Sequence, residues 1–335
     1  SWRWIFFINV PVGVIVLIAS LRVLQESKIE REVRRYDVAG AVSVTAGLML
    51  LVYALVGTLD HGWTSARSLL LFAAAVLLLV GFVVNEARSK EPLLPLSIFR
   101  NRTLSGANVV GFLVGAGVFS MFLFLSFYMQ GILGYSALKT GLLYVPFGVM
   151  TIVAAGISQA LVTKVGIRNI LAAGLIMVAA AQLWFSRAPV NGSYMTDLLP
   201  GFIIGALGLG FAFVPDAIAA LQGVKPDQAG VASGLINTSQ QIGGALGVAI
   251  LLTIAVSRYT PLLVENGITS QFDPRAKPFL LDGYHAAFFW GGMMSLLGFL
   301  ATMVFLKKGP SPDVDTEFQA MQRQVGSAET AAEES

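Results

Sequence analysis

Nine long apolar runs, set apart by short charged or Gly/Pro-containing connectors, leave this chain little choice of fold. They cover residues 4–22, 38–59, 68–85, 104–129, 141–162, 169–186, 197–221, 231–256 and 285–306. Each has helix-spanning length, about 17–25 residues for a hydrocarbon layer of about 30 Å. Inside lipid no water satisfies the backbone, so a spanning segment is an α-helix or a strand of a closed barrel. No run alternates apolar and polar residues with period two, which removes the barrel. Composition agrees: 56% of the 335 residues are hydrophobic and 12% charged, where a soluble chain carries about 25% charged residues. The expected fold class is an all-α polytopic membrane protein with nine transmembrane helices.

Charge then orients the runs, because loops rich in Lys and Arg stay in the cytoplasm. Placing the loop after the first run inside puts fifteen of the 22 Lys and Arg residues on that side. This predicts an external N-terminus and a cytoplasmic C-terminus in a multi-pass protein of the cell (inner or plasma) membrane. The net charge of +3 is too small to imply nucleic acid, and the lack of Cys excludes disulfides and Cys-based metal or iron–sulfur sites. "LQESKIEREVRRYDVAG" (24–40) is a charged connector with i,i+4 pairs such as Glu30–Arg34, predicting partial helix. "SKEPLLPLSIFRNRTLSGAN" (89–108) predicts a short amphipathic helix at the interface. An external loop of about 28 residues is expected from Ser257 to Tyr284, and a polar, disordered tail after Lys308.

Enzyme and pump signatures do not occur: no G-x-x-x-x-G-K-[ST], G-x-S-x-G, H-E-x-x-H or Cys/His cluster. No catalytic residues, metal or cofactor are therefore expected. His61 and His285 map near the external ends of runs and read as interfacial residues. The carboxylate set well inside a run is Asp216, in "GFAFVPDAIAAL" (210–221). A charged Asp at a helix centre costs roughly 2.5–3.5 kcal/mol on insertion scales, so it faces a cavity or a partner. Pro215 before it is expected to break the helix and leave Asp216 in the first turn of a half-helix. Asp216 is thus a candidate proton or cation site, the alternative being a structural cap near the interface.

In "GVASGLINTSQQIGGALGVAI" (230–250), Asn237, Thr238, Ser239, Gln240 and Gln241 are consecutive polar residues that cannot all face lipid. Gln240, Gln241 and Asn108 are candidate cavity contacts, with Gln159 and Gln182 as further lone polar residues. Gly243/Gly247, Gly201/Gly205 and Gly111/Gly115 have the small-xxx-small spacing of close helix packing. In "FSMFLFLSFYMQ" (119–130), Phe119, Phe122, Tyr128 and Met129 could wall a pocket for hydrophobic cations, though packing or lipid contact is the default for most of them. Asn101 fits the glycosylation pattern but is expected in the cytoplasm, which discounts it.

Three ordered stretches together resemble one family, the fourteen-helix drug:proton antiporters of the major facilitator superfamily. "WRWIFFINVPVG" (2–13) looks like the start of that family's helix six, "PLLPLSIFRNRT" (92–103) like the segment before helix nine, and residues 230–250 are similar to helix thirteen. The resemblance runs to about Leu306 and implies a major-facilitator-type bundle in which the nine runs are helices six to fourteen. It implies that residues 1–23 are the last helix of an amino-terminal bundle whose other helices are missing. Residues 24–103 become the connector, central two-helix insert and interfacial segment, 104–308 the carboxyl-terminal six-helix bundle, and 309–335 the tail.

Two departures matter. "LVTKVGIRN" (161–169) keeps Lys164, Gly166 and Arg168 of the family's gating-loop motif but lacks its acidic residue. The family's best-known coupling residues belong to helices that this chain does not contain, so no residue inherits those roles. The resemblance implies a multidrug resistance exporter in which inward proton flow drives out small hydrophobic or cationic substrates by alternating access. Its partners are then substrate, protons, the lipid bilayer and the missing amino-terminal helices. The rival readings are a dedicated exporter of one endogenous metabolite or antibiotic, and a truncated, non-transporting remnant or scaffold.

Overall fold

The computed structural model describes residues 7, 9–23, 37–89, 92–225 and 228–307. Residues 24–36 of the charged connector, the Trp-Arg-Trp cluster and the tail lie outside those residues. The chain divides into two units, 1–36 and 37–335. The first contains one described helix, α1 (Asn9–Val23), with Pro11 and Gly13 inside it and Arg22 in its last turn. At 15 residues it is the short member of the set; eight others are long and apolar enough to cross a membrane.

In the second unit α2 (Val38–His61) and α3 (Ala66–Arg88) form a hairpin closed by Gly62 at φ 78° and capped by Ser65, whose hydroxyl accepts from the Ser68 amide. Only glycine adopts that left-handed φ at no steric cost. Six helices follow: α4 (Arg102–Phe127), α5 (Ala137–Val165), α6 (Ile167–Phe185), α7 (Leu199–Leu221), α8 (Ala229–Glu265) and α9 (Lys277–Phe305). Among the described residues there is no strand, as expected where each backbone group must be satisfied within its own segment.

The core lies among these six helices, with Phe124, Tyr128, Phe185, Phe202 and Phe288 fully buried. Edge-on aromatic contacts knit it together: Phe185–Phe202 at 5.9 Å between ring centres and Phe147–Phe202 at 5.7 Å. Glycines set the crossings. A Cβ on Gly174 of α6 would strike the α7 backbone at Phe211 and Ala212, and one on Gly208 would strike α6 at Val178. A Cβ on Gly115, Gly243 or Gly247 would collide with backbone across the α4–α8 contact. Without interhelical hydrophobic drive in lipid, such close backbone approach is a main source of association.

Three expectations need correction. Pro215 lies inside an unbroken α7, so there is no half-helix starting at Asp216; packed neighbours tolerate the one missing amide. The loop expected from Ser257 to Tyr284 is short, residues 266–276, because α8 runs through Arg258 and Pro261 to Glu265 and α9 starts at Lys277. Beyond the membrane polar residues do not stop a helix, and Arg258 Nε bonds Asp282 Oδ2 at 2.9 Å to tie the extensions together. The interfacial segment is a single 3₁₀ turn, Leu96–Arg100, anchored by buried Ile98. Asn101, discounted as a glycosylation acceptor from the sequence, is engaged in structure: its Oδ1 caps α4 at the Thr103 and Leu104 amides and its Nδ2 donates to Gln222 O at 2.8 Å.

Candidate polar site between three helices

α4 brings Asn108, Gly111 and Gly115 onto one face, since residues three and four apart on a helix are neighbours. The same spacing on α8 aligns Ile236, Ser239, Gln240 and Gly243. Gly115 has no side chain where the Gln240 carbonyl oxygen presses against α4, so the two backbones touch at that level. One turn away, Gly111 leaves room for a carboxylate: a Cβ there would lie 3.0 Å from Asp216 Oδ2 and 3.2 Å from Gln240 Cγ.

Into that space α7 inserts Asp216, which is 1% exposed. Gln240 Nε2 donates to its Oδ2 at 3.3 Å, while Oδ1 is buried with no hydrogen-bond partner. Beside this pair, Ser239 Oγ donates to Asn108 Oδ1 at 2.8 Å, and Asn108 Nδ2 donates back to Leu104 O at 2.9 Å. The described residues supply no Lys, Arg or His to the carboxylate. A buried carboxylate held by one long amide bond is poorly solvated. A carboxyl in such surroundings can exchange a proton or accept a cation.

The other candidates lie elsewhere. Gln241 is exposed, as are Asn237 and Thr238, which donate to their own helix at Ser233 O and Gly234 O. Phe119 is exposed beside Gly244, and Phe122 packs on Tyr144 and Phe147. Tyr128 and Met129 are buried in the apolar core, where Tyr128 Oη donates to Pro189 O at 2.6 Å. Gln159 is exposed and Gln182 is fully buried. The structure thus gathers Asp216, Gln240 and Asn108 and leaves Gln241, Phe119, Phe122, Tyr128 and Met129 outside the group.

Two buried polar features involve residues that the sequence did not single out, Ser295 and Glu86. Ser295 of α9 accepts from Gln182 Nε2 at 3.2 Å, with Gln182 Oε1 unpartnered over Gly291. Glu86 at the end of α3 is 3% exposed and accepts from the Leu94 amide at 3.1 Å, while Asn85 Nδ2 donates to Asp37 Oδ2 at 2.6 Å. The signal for Glu86 is a carboxylate directly after an apolar run, near the end of α3. Outside the spans, Asp273 is held below the usual carboxylate range by hydrogen bonds from Arg275. It stays ionised at neutral pH and caps the turn before α9, a contribution lost as pH falls through its lowered value.

Residues 1–248 match the sequence profile of the Major Facilitator Superfamily. The puromycin resistance protein pur8 of Streptomyces alboniger is 34% identical over 270 residues, 80% of this chain and 53% of that protein. The multidrug transporter protein MdtP of Bacillus subtilis is 32% identical over 267 residues, 79% of this chain and 49% of that protein. The chain thus spans about half the length of the curated relatives it matches. Its fold is similar to that of a bacterial homologue of the human lysosomal transporter Spinster. That match has a TM-score of 0.52 and 14% identity, covering 82% of this chain and 68% of that structure.

Proposed function

The chain belongs to the major facilitator superfamily, and on that premise we propose that it supplies the carboxyl-terminal part of a proton-coupled drug exporter. Its nine helices correspond to helices six to fourteen of a fourteen-helix antiporter, with the N-terminus of this chain external and the C-terminus cytoplasmic. The substrates are small hydrophobic or cationic compounds moved outward through the plasma membrane by alternating access, and the proton gradient is the energy source. Relatives named for puromycin resistance and for multidrug transport support export as the direction.

The observation that carries the reading is Asp216, buried between α4, α7 and α8 with one oxygen unpartnered. Intramembrane carboxylates of this kind mark ion and substrate pathways. A protonated carboxyl both donates and accepts, whereas a carboxylate only accepts. Ionised Asp216 needs more than the single Gln240 amide, and either a proton or a cationic substrate meets that need. Because one carboxylate serves two mutually exclusive partners, proton uptake and substrate release are linked. Asn108 and Ser239 keep α4 and α8 in register beside it.

The second reading, a dedicated exporter of one antibiotic, is favoured by the relative named for a single compound. A panel of dyes and antibiotics separates the two: efflux of one chemotype supports the dedicated exporter, efflux of several the multidrug one. The coupling role is tested with Asp216→Asn in the complete transporter that contains this chain. pH-gradient-driven efflux of ethidium falls by about 5- to 150-fold, the usual size of coupling between two ligands. Membrane abundance is unchanged. Undiminished efflux removes Asp216 from the mechanism.

A further inference from the structure

At the end of the bundle opposite the α8–α9 connection, two guanidinium groups close on the last turn of α9. Arg102, the first residue of α4, donates from Nη2 to Val304 O at 2.9 Å. Arg168, in the first turn of α6, reaches Met303 Sδ at 3.4 Å. A thioether is a weak acceptor, and a guanidinium carries five donors. Arg168 is half-buried, yet no carboxylate among the described residues pairs with either arginine; the described ion pairs, Arg258–Asp282 and Arg275–Asp273, lie at the other end. Both arginines also lie in the first turn of a helix, whose dipole adds positive potential. Lys307 lies two residues beyond the end of α9 and is exposed. From this cationic end an exposed apolar stripe, Val304, Leu300 and Leu297, runs along one face of α9.

We propose that Arg102 and Arg168, at the end of α9, hold the phosphate of an anionic phospholipid whose acyl chains lie along Leu297, Leu300 and Val304. Basic clusters between helices at the membrane surface recognise such headgroups. Planar guanidinium donors match phosphate oxygens better than a lone lysine does. The bound lipid bridges the starts of α4 and α6 at the end of α9. The inference stands independently of the transport reading.

The test is native mass spectrometry of the complete protein released from vesicles of equal phosphatidylglycerol and phosphatidylcholine. The wild type retains phosphatidylglycerol preferentially. Each of Arg102→Gln and Arg168→Gln lowers that preference about 5-fold, the effect of one surface cation, while Arg168→Lys, which keeps the charge without the planar fork, recovers only part of it. Equal retention of the two lipids by the wild type overturns the proposal, as does undiminished preference in a monodisperse double variant. Two wild-type-based arms exclude other occupants. Excess glycerophosphate leaves the retained lipid in place; displacement means that the site takes free phosphate instead. A chain ending at Lys308 retains the same lipid as the wild type. Retention that emerges only on that truncation assigns the arginines to the acidic tail.

Discussion

Asp216 and Gln182 are both buried polar side chains with an unpartnered oxygen, yet their surroundings differ. Asp216 has Gln240 as its hydrogen-bond donor. Gln240→Leu therefore leaves a buried carboxyl without a partner, and thermal unfolding in detergent should show a loss of about 1–3 kcal/mol. Ser295, the partner of Gln182, keeps a second acceptor in Gly291 O at 3.3 Å. Gln182→Leu removes the unpartnered oxygen together with its bond, so the same measurement should show a cost no greater than about 1 kcal/mol. Asp216 and Gln240 were legible in the sequence because polar residues inside apolar runs are conspicuous. Their pairing was not, since nothing local records that Gly111 clears the space between them. Gln241, adjacent in sequence to Gln240, turns 100° away along the helix and is exposed.

At the scale of elements, the α4–α8 contact depends on glycine more than on large apolar side chains. The small-xxx-small spacing predicted close packing, and Gly115, Gly243 and Gly247 each abut backbone of the opposite helix. Gly115→Ala should destabilise the bundle by about 1–3 kcal/mol, the usual cost of overpacking. Gly234→Ala on the same α8 meets nothing within 4 Å. It should be neutral or stabilising by up to about 1 kcal/mol, because alanine is the better helix former. Paired melting curves of the two variants check this, and equal shifts would contradict the packing account. Helix existence was readable from hydropathy alone, but helix ends were not. α8 continues for 37 residues and α9 begins eight residues before its apolar run. Solvent-exposed turns are held by tertiary bonds such as Arg258–Asp282 and by Lys277 Nζ on Ile132 O at 2.7 Å. Hydropathy carries no trace of those partners.

For the whole molecule, the Lys/Arg imbalance is the feature from which the proposed orientation is argued. The chain has no Cys, so single introduced cysteines report sidedness cleanly. Lys164→Cys, in the exposed last turn of α5, should react with a membrane-impermeant maleimide only from the cytoplasm. Asn191→Cys, exposed between α6 and α7, should react only from outside. The reverse pattern would invert the proposed direction of transport. The deepest claim concerns one carboxyl shared between proton and substrate, and it is tested most directly by substrate-induced proton release. Adding a transported cation to the purified, weakly buffered complete protein should release protons from the wild type and none from Asp216→Asn at equal substrate occupancy. Equal release from both proteins would contradict the assignment of Asp216 as the shared site.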